Sequence, residues 1–269
     1  MIHVSTVRII TFNANGIRSA ARKGFFTWLA RQNADVVCIQ ETKAQLHQLD
    51  EREYFPPGYH CYYHDAEKKG YSGVALYTRQ PPRQVHYGLG WEDFDREGRW
   101  LEIRFDTLCV VSLYLPSGSS GDVRQQFKFD LMERLLPHLQ ALRDSGRDYV
   151  LCGDWNIAHK TIDIKNWRGN LKNSGFLPEE RAWLERLFTV EQFIDTFRVI
   201  DPRPERYTWW SNRGQARANN VGWRIDYQIA TPGIGARVQA VDIYTNERFS
   251  DHAPLIMDYA GSLTDSHSR

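Results

Sequence analysis

The chain has 269 residues, 42% of them hydrophobic, and its 34 Lys and Arg against 33 Asp and Glu leave a formal net charge of +1. That length and apolar content supply a large core, and the near-zero charge excludes a protein that coats nucleic acid through bulk positive charge, so any DNA contact must come from local Lys and Arg. No apolar run approaches the roughly 18 residues of a membrane span, Met1 opens no basic-then-apolar leader, and Cys38, Cys61, Cys109 and Cys152 form no CxxC pair, which points to reduced, buried thiols in a cytoplasmic protein.

Residues 7–13 form a first β-branched strand. It ends in Asn13-Ala-Asn15-Gly16, where two amides two residues apart share a face, a pattern that also suits a turn. Residues 19–32 read as a helix with Phe25, Phe26 and Leu29 inward. A second buried strand at 35–40 runs into Glu41, whose carboxylate beside so apolar a segment calls for a partner, either Lys43 or a metal ion. Residues 46–53 suit a short helix. Strands at 59–64 and 73–78 belong to one sheet, and the basic tip at 67–72 carries Tyr71. Such a tip is either a solvated hairpin or a surface that meets a nucleic-acid backbone.

Further strands at 85–91 and 100–105 flank a loop at 95–99. A long buried strand at 108–116 ends near Tyr114, whose hydroxyl needs a partner, internal or a phosphate oxygen. A loop at 117–121 precedes a long helix at 122–143. The strand from Asp148 then runs into Gly153-Asp154-Trp155-Asn156. Side chains two apart project together in a strand, so Asp154 and Asn156 stand side by side: a carboxylate to deprotonate a water and an amide to aim it.

The polar stretch 157–176 is long enough to be functional. A helix at 177–187 opens with Pro178 and two Glu, and 190–199 suits another short helix. Tyr207, Trp209 and Trp210 form an aromatic platform before a polar, basic loop at 211–220. In the strand at 222–230, Trp223 and Ile225 share one face and Arg224 and Asp226 the other. A strand at 237–244 follows, and Ser250-Asp251-His252-Ala253-Pro254 leads into the last strand. Residues 1–260 read as one domain and 261–269 as a disordered tail.

Glu41, Tyr114, Asp154, Asn156, Asp226, Asp251 and His252 all flank apolar strands. An oxygen-rich set suits a hard cation such as Mg²⁺ or Mn²⁺, not zinc. His252, with Asp226 to orient it, suits a phosphate. There is no Gly-x-Ser-x-Gly elbow, so water is the best nucleophile. Together these residues point to metal-assisted phosphoester hydrolysis. Strands and helices alternate irregularly, and no GxGxxG follows the first strand, which favours two packed sheets flanked by helices over a doubly wound dinucleotide fold.

Five motifs carry a family resemblance. Phe12-Asn13-x-Asn15-Gly16-Ile17-Arg18, Gln40-Glu41-Thr42-Lys43, Gly153-Asp154-Trp155-Asn156, Gly222-Trp223-Arg224-Ile225-Asp226 and Ser250-Asp251-His252-x-Pro254 resemble, in this order, the exonuclease III family of abasic-site endonucleases, within the endonuclease/exonuclease/phosphatase superfamily. The resemblance runs from Val7 to Tyr259. It implies an α/β, four-layer α/β/β/α sandwich of two mixed sheets with the site at one edge. Glu41 is then the main Mg²⁺ ligand, with Asp251 and Asn15 nearby. Asp154 activates the water, Asn156 orients it, and Asn13, Tyr114 and the His252–Asp226 pair hold the scissile phosphate. Trp209, Trp223 and Ile225 match a pocket for a base-free deoxyribose. Arg18, Lys43, Tyr71, Arg99, Asn170 and Asn173 fall where family members touch the DNA backbone, and Arg213 and Arg217 lie in the loop that enters the duplex. Asn15 replaces an Asp of some members, which removes one negative charge near the metal.

The implied activity is Mg²⁺-dependent cleavage 5′ to an abasic site in duplex DNA, leaving a 3′-hydroxyl. Trimming of 3′ ends and removal of 3′ blocks in base excision repair accompany it, carried out by a monomer in the cytoplasm. A rival resemblance is to the catabolite-repression control protein, a catalytically inactive regulator on the same scaffold. It rests on Gly88-Leu-Gly-Trp91, on Leu115 to Asp122, on Phe127-Lys128-Phe129 and on Ala158 to Trp167. Retention of Glu41, Asp154, Asn156, Asp226, Asp251 and His252 together speaks against it, because six polar groups kept at strand ends without catalysis would be an odd use of buried charge.

Overall fold

Runs of Val, Ile and Leu that are apolar on both faces form the centres of two sheets. The computed structural model describes residues 5–49 and 52–263. Its strands are β1 Thr6–Asn13, β2 Val36–Gln40, β3 His60–His64, β4 Val74–Thr78, β5 Gln84–Tyr87, β6 Trp100–Arg104, β7 Leu108–Tyr114, β8 Asp148–Asp154, β9 Ile194–Asp195, β10 Trp209–Trp210, β11 Gly222–Trp223, β12 Asp226–Ala230, β13 Val238–Ile243 and β14 Leu255–Ala260. One six-stranded sheet has the order β13-β14-β1-β2-β4-β3 and the other β5-β6-β7-β8-β12-β9, with β10 and β11 forming a separate ribbon. Each sheet is mixed. It holds one parallel pair, β1–β2 or β7–β8, and antiparallel neighbours elsewhere.

Alternation along the strands sorts side chains into layers. Ile9, Val36, Cys38 and Leu76 of the first sheet belong to one core with Ile103, Val110, Val150 and Cys152 of the second. Ile10, Phe12, Val37 and Ile39 pack instead with Ile17, Phe25 and Leu29 of the helices Ile17–Arg22 and Phe25–Leu29. Val111, Leu113, Leu151 and Ile229 pack with Leu131, Leu135, Trp183 and Leu187 of the helices Asp122–Asp144 and Pro178–Thr189. The result is the expected four-layer sandwich. Two amides cross the inter-sheet layer: Gln40 Nε2 donates to Ser112 Oγ (3.0 Å) and Gln228 Nε2 to the Ile9 carbonyl (2.9 Å). Buried polar groups so paired fix how the sheets sit on each other.

This topology brings several chain segments to one edge. β1, β2, β7 and β8 end at Asn13, Gln40, Tyr114 and Asp154. Asp226 opens β12 directly opposite Asp154, and Asp251 and His252 precede β14. The carboxyl ends of both parallel pairs therefore frame one crevice, the usual binding place in α/β sheets.

Several expected elements differ in detail. The helix at 19–32 is broken at Gly24, whose φ of 89° is left-handed. The strand at 85–91 stops at Tyr87, because the Asp95 carboxylate accepts the N–H groups of Leu89 (2.8 Å) and Trp91 (2.9 Å) and turns the chain into the helix Glu92–Asp95. The segment 190–199 splits into β9 and the helix Thr196–Ile200. The segment 222–230 splits into β11 and β12, because Trp223 pairs with Trp209 while Asp226 pairs with Asp154. The helix expected at 46–53 is two 3₁₀ turns, Leu46–Gln48 and Arg52–Tyr54, and residues 50 and 51 lie outside the described residues. So do 264–269 of the expected tail.

Candidate active site

Asn13 ties the two sheets together at the crevice. Its Nδ2 donates to Glu41 Oε1 (2.9 Å) and to Asp154 Oδ2 (2.9 Å). Asp154 Oδ1 accepts the backbone N–H of Asn156 (2.8 Å). On its far side, Asp154 Oδ2 lies 3.9 Å from His252 Nε2, and His252 Nδ1 donates to Asp226 Oδ2 (2.9 Å). One ligand atom each from Glu41, Asp154 and His252 lie within 4.8 Å of one another. Asn15, Glu41, Lys43 and Asn156 all have left-handed backbones, with φ between 43° and 52°. Non-glycine residues held in this region concentrate at functional sites.

The electrostatics follow from burial of like charges. Burial and the Asp226 carboxylate push Asp154 up to about 8, with Glu41 adding to the shift. A carboxylate raised in this way is a stronger base than a free one. Burial alone would lower His252, but Asp226, Asp154 and Asp251 raise it to about 10, which makes it a cation facing the crevice. Burial would raise Glu41, yet the Lys43 ammonium and the Asn13 amide hold it below the ordinary value. Asp251 is likewise held low against burial, by His252 and by hydrogen bonds from Asn15, Trp209 and Ser250.

The three expected metal ligands are linked. Lys43 Nζ is 2.8 Å from Glu41 Oε2 and donates to Asn15 Oδ1, while Asn15 Nδ2 donates to Asp251 Oδ1 (2.9 Å). A positive charge thus already sits between Glu41 and Asn15. This oxygen donor set fits a hard divalent cation.

Asn156 Nδ2 donates to the Leu115 carbonyl (2.8 Å), and its Oδ1 has no hydrogen bond among the described residues. That oxygen is available to a water. A cleft of about 980 Å³ opens beside it, bordered by Glu41, Tyr114, Asp154, Asn156, Asp251 and His252. Trp209, Trp223 and Ile225 line the same cleft. The two indoles meet edge to face with ring centroids 6.0 Å apart, and Trp209 Nε1 donates to Asp251 Oδ2 (3.1 Å). A polar reacting edge and an apolar pocket therefore share one cavity.

The residues expected on DNA separate into groups. Arg18 and Arg213 are exposed, and Arg213 and Asn173 border the cleft. Asn170 lies behind Asn173, accepting its amide at 2.8 Å. Lys43 belongs to the ligand cluster. Tyr71 is half-buried, and its hydroxyl accepts from Arg99 (3.0 Å) and Arg124 (2.9 Å). Arg99 is not on the surface: it is 1% exposed, bonded to Glu97 and the Tyr114 carbonyl, and stacked on the Tyr114 ring at 4.5 Å. It braces Tyr114 and Tyr71. Arg217 is half-buried over Trp210, 4.7 Å from the ring centroid, and reaches the Ser250 carbonyl (3.4 Å). Arg224 does not reach His252 as its strand neighbour Asp226 does. It is buried between Asp163 and Asp195.

Sequence reasoning missed several supports. Thr208 Oγ1 accepts the N–H groups of Ile225 (3.2 Å) and Asp226 (3.1 Å), which sets Ile225 at the cleft and Asp226 behind His252. Lys128 and Glu180 form a fully buried ion pair under Asn156. The one signal for the pair was a lysine on the apolar side of the 122–143 helix, between Phe127 and Phe129.

A profile described as the Endonuclease/Exonuclease/phosphatase family matches residues 10–252. The exodeoxyribonuclease of Bacillus subtilis (strain 168) is 39% identical over 251 residues, which cover 93% of this chain and 98% of that protein. The DNA repair nuclease APEX1 of Danio rerio is 36% identical over 256 residues, 94% of this chain and 82% of that one. An AP endonuclease from Archaeoglobus fulgidus superimposes with a TM-score of 0.85 at 30% identity, over 94% of this chain and 99% of that one. On these grounds the chain belongs to the endonuclease/exonuclease/phosphatase family, with exodeoxyribonucleases and AP endonucleases as its relatives.

Proposed function

We propose that this chain is a Mg²⁺-dependent DNA-repair nuclease that hydrolyses the phosphodiester 5′ to an abasic site and leaves a 3′-hydroxyl, with 3′–5′ trimming and 3′-end cleaning at the same site. The observation that carries the proposal is the shared cavity. Asp154, Asn156 and His252, the last paired with Asp226, line it together with Trp209, Trp223 and Ile225. Asp154 takes a proton from a water that Asn156 Oδ1 aims. The imidazolium of His252, with Asn13 and Tyr114, binds the phosphate oxygens on which charge grows. The two indoles and Ile225 accept a sugar without a base, where a paired nucleotide would remain stacked in its duplex. Glu41, Asp251 and Asn15 would hold Mg²⁺, or Mn²⁺, which supplies Lewis-acid polarisation of the phosphate and neutralises its charge.

The relatives named above carry the names of an exodeoxyribonuclease, a DNA repair nuclease and an AP endonuclease, which supports the nuclease reading over the regulatory one. Among the described residues no helix is long and apolar enough to cross a membrane. A single-domain, cytoplasmic monomer spanning 1–260 remains part of the proposal. The side of cleavage is tested by the product end. After incision of an abasic duplex, a DNA polymerase should extend the upstream fragment without further treatment. A fragment that needs phosphatase before extension contradicts the proposal.

A further inference from the structure

Beneath the cleft, Lys128 of the Asp122–Asp144 helix and Glu180 of the Pro178–Thr189 helix form an ion pair of 2.6 Å in which both side chains are 0% exposed. Neither residue borders the cleft. A buried pair of this kind is a poor source of stability, because desolvation of both charges offsets their attraction and an apolar pair of similar volume often does as well. What this pair supplies is direction. Lys128 Nζ also donates to the Asn156 carbonyl (2.7 Å). Glu180 Oε2 accepts the N–H groups of Gly175 (2.6 Å) and Leu177 (3.1 Å), and Glu180 Oε1 accepts Gln125 Nε2 (3.2 Å).

These partners surround the reacting groups. The Asn156 backbone that Lys128 grips carries the amide at the cleft. Gly175 lies so close that a Cβ on it would stand 3.1 Å from the Asn156 carbonyl oxygen and 3.1 Å from the Trp223 ring. The Gly175 carbonyl in turn accepts the Ala158 N–H (2.8 Å). One ion pair therefore fastens both the turn after β8 and the loop that backs the indole wall.

We propose that Lys128 and Glu180 are positioning residues for the hydrolysis. They hold the Asn156 turn and the Gly175–Trp223 contact in register, so that the water-aiming amide and the sugar pocket keep a fixed separation. The assignment rests on the proposed nuclease activity. Small displacements of such groups are costly: about 1 Å of misplacement can cost about 100-fold in rate.

The test uses the full chain with Lys128→Met and Glu180→Leu together, which removes both charges and leaves neither unpaired. If the pair acts on geometry, kcat on an abasic duplex, measured well below the thermal midpoint, falls about tenfold or more, and the midpoint itself drops because the N–H groups of Gly175 and Leu177 and the Asn156 carbonyl lose their partners. Wild-type kcat in the folded variant overturns the assignment. Should that variant not hold its fold, Lys128→Met with Glu180→Gln keeps an oxygen for Gly175 and Leu177 and removes the Lys128 contact to Asn156. A kcat loss is again expected, and wild-type kcat overturns the role of Lys128. Fluorine spectra of protein labelled with 5-fluorotryptophan, with Trp223 assigned by Trp223→Phe, give a readout that needs no turnover. The Trp223 resonance should shift or broaden in the double variant, and an unchanged resonance overturns the assignment. If the wild type itself does not cleave, the nuclease reading fails while the fluorine spectrum still decides this one.

Discussion

Asp154 receives hydrogen bonds from Asn13 Nδ2 and Asn156 N and has His252 3.9 Å away. Replacing it by Asn keeps the shape and removes the base. Cleavage should fall by about 100- to 10,000-fold, the usual worth of a positioned general base, while affinity for an abasic duplex stays close to that of the wild type. Single-turnover cleavage beside fluorescence anisotropy measures both quantities, and unchanged turnover removes Asp154 from the mechanism. Gly175 is a second test at this scale. Its φ of +89° is left-handed, and an added Cβ would press on Trp223. Gly175→Ala should lower stability by about 1 kcal/mol and weaken binding of abasic over undamaged DNA, because the side chain pushes the indole wall. Asp154 and Asn156 were legible as polar residues closing an apolar run, but not by the period of two, because β8 ends at Asp154 and Asn156 turns away with a φ of 52°. Lys128 was not legible, since a helical lysine is normally solvated and its partner Glu180 is 52 residues away.

Among the elements, the 3₁₀ turn Thr161–Asp163, the segment after β11 and β9 are held together by charge. The Asp163 carboxylate accepts from Arg224 Nε (2.8 Å) and Arg198 Nη2 (2.6 Å), and Arg224 also pairs with Asp195 of β9. Burial would raise Asp163, but Arg224 and Arg198 bring it down to about 2, below the ordinary 3.8. Because the folded value is depressed, its stabilisation is fully present above the ordinary carboxyl range. It is lost as pH falls from there toward about 2. Urea midpoints followed from about pH 6 to about pH 2 should show Asp163→Asn destabilised at the upper end and falling less steeply below about pH 4. Parallel curves for the two proteins would contradict this. Most strands were readable as β-branched runs such as those of β2 and β7. The split of 222–230 was not, because it depends on Trp209 arriving as a cross-strand partner from outside the segment. Nor was the break at Gly24, since a glycine within an apolar, helical-looking pattern can sit inside a helix or end one.

At the scale of the molecule, a net charge of +1 leaves DNA binding to local cations. Arg213 is exposed at the cleft rim, whereas Arg99 is buried against Glu97 and Tyr114. The two arginines looked alike in the sequence, where exposure is invisible. Salt should now separate them. Arg213→Ala should reduce the slope of log affinity against log salt by about one, and Arg99→Met should leave that slope unchanged while lowering the thermal midpoint. Two packed sheets flanked by helices were legible in the strand patterning and the four layers in the family resemblance, whereas the strand orders β13-β14-β1-β2-β4-β3 and β5-β6-β7-β8-β12-β9 depend on long-range pairing that no single segment carries. The meeting of Glu41, Asp154 and His252 within 4.8 Å is a property of that packing, not of any single segment.

The most direct test of the central claim is incision of an end-labelled duplex carrying one abasic-site analogue, run with Mg²⁺ and with chelator beside an undamaged duplex. Metal-dependent cutting at the lesion, on its 5′ side and absent from the interior of the undamaged duplex, is the expected result. Equal cutting of both duplexes, cutting that survives the chelator, or binding with no cleavage of either would contradict it.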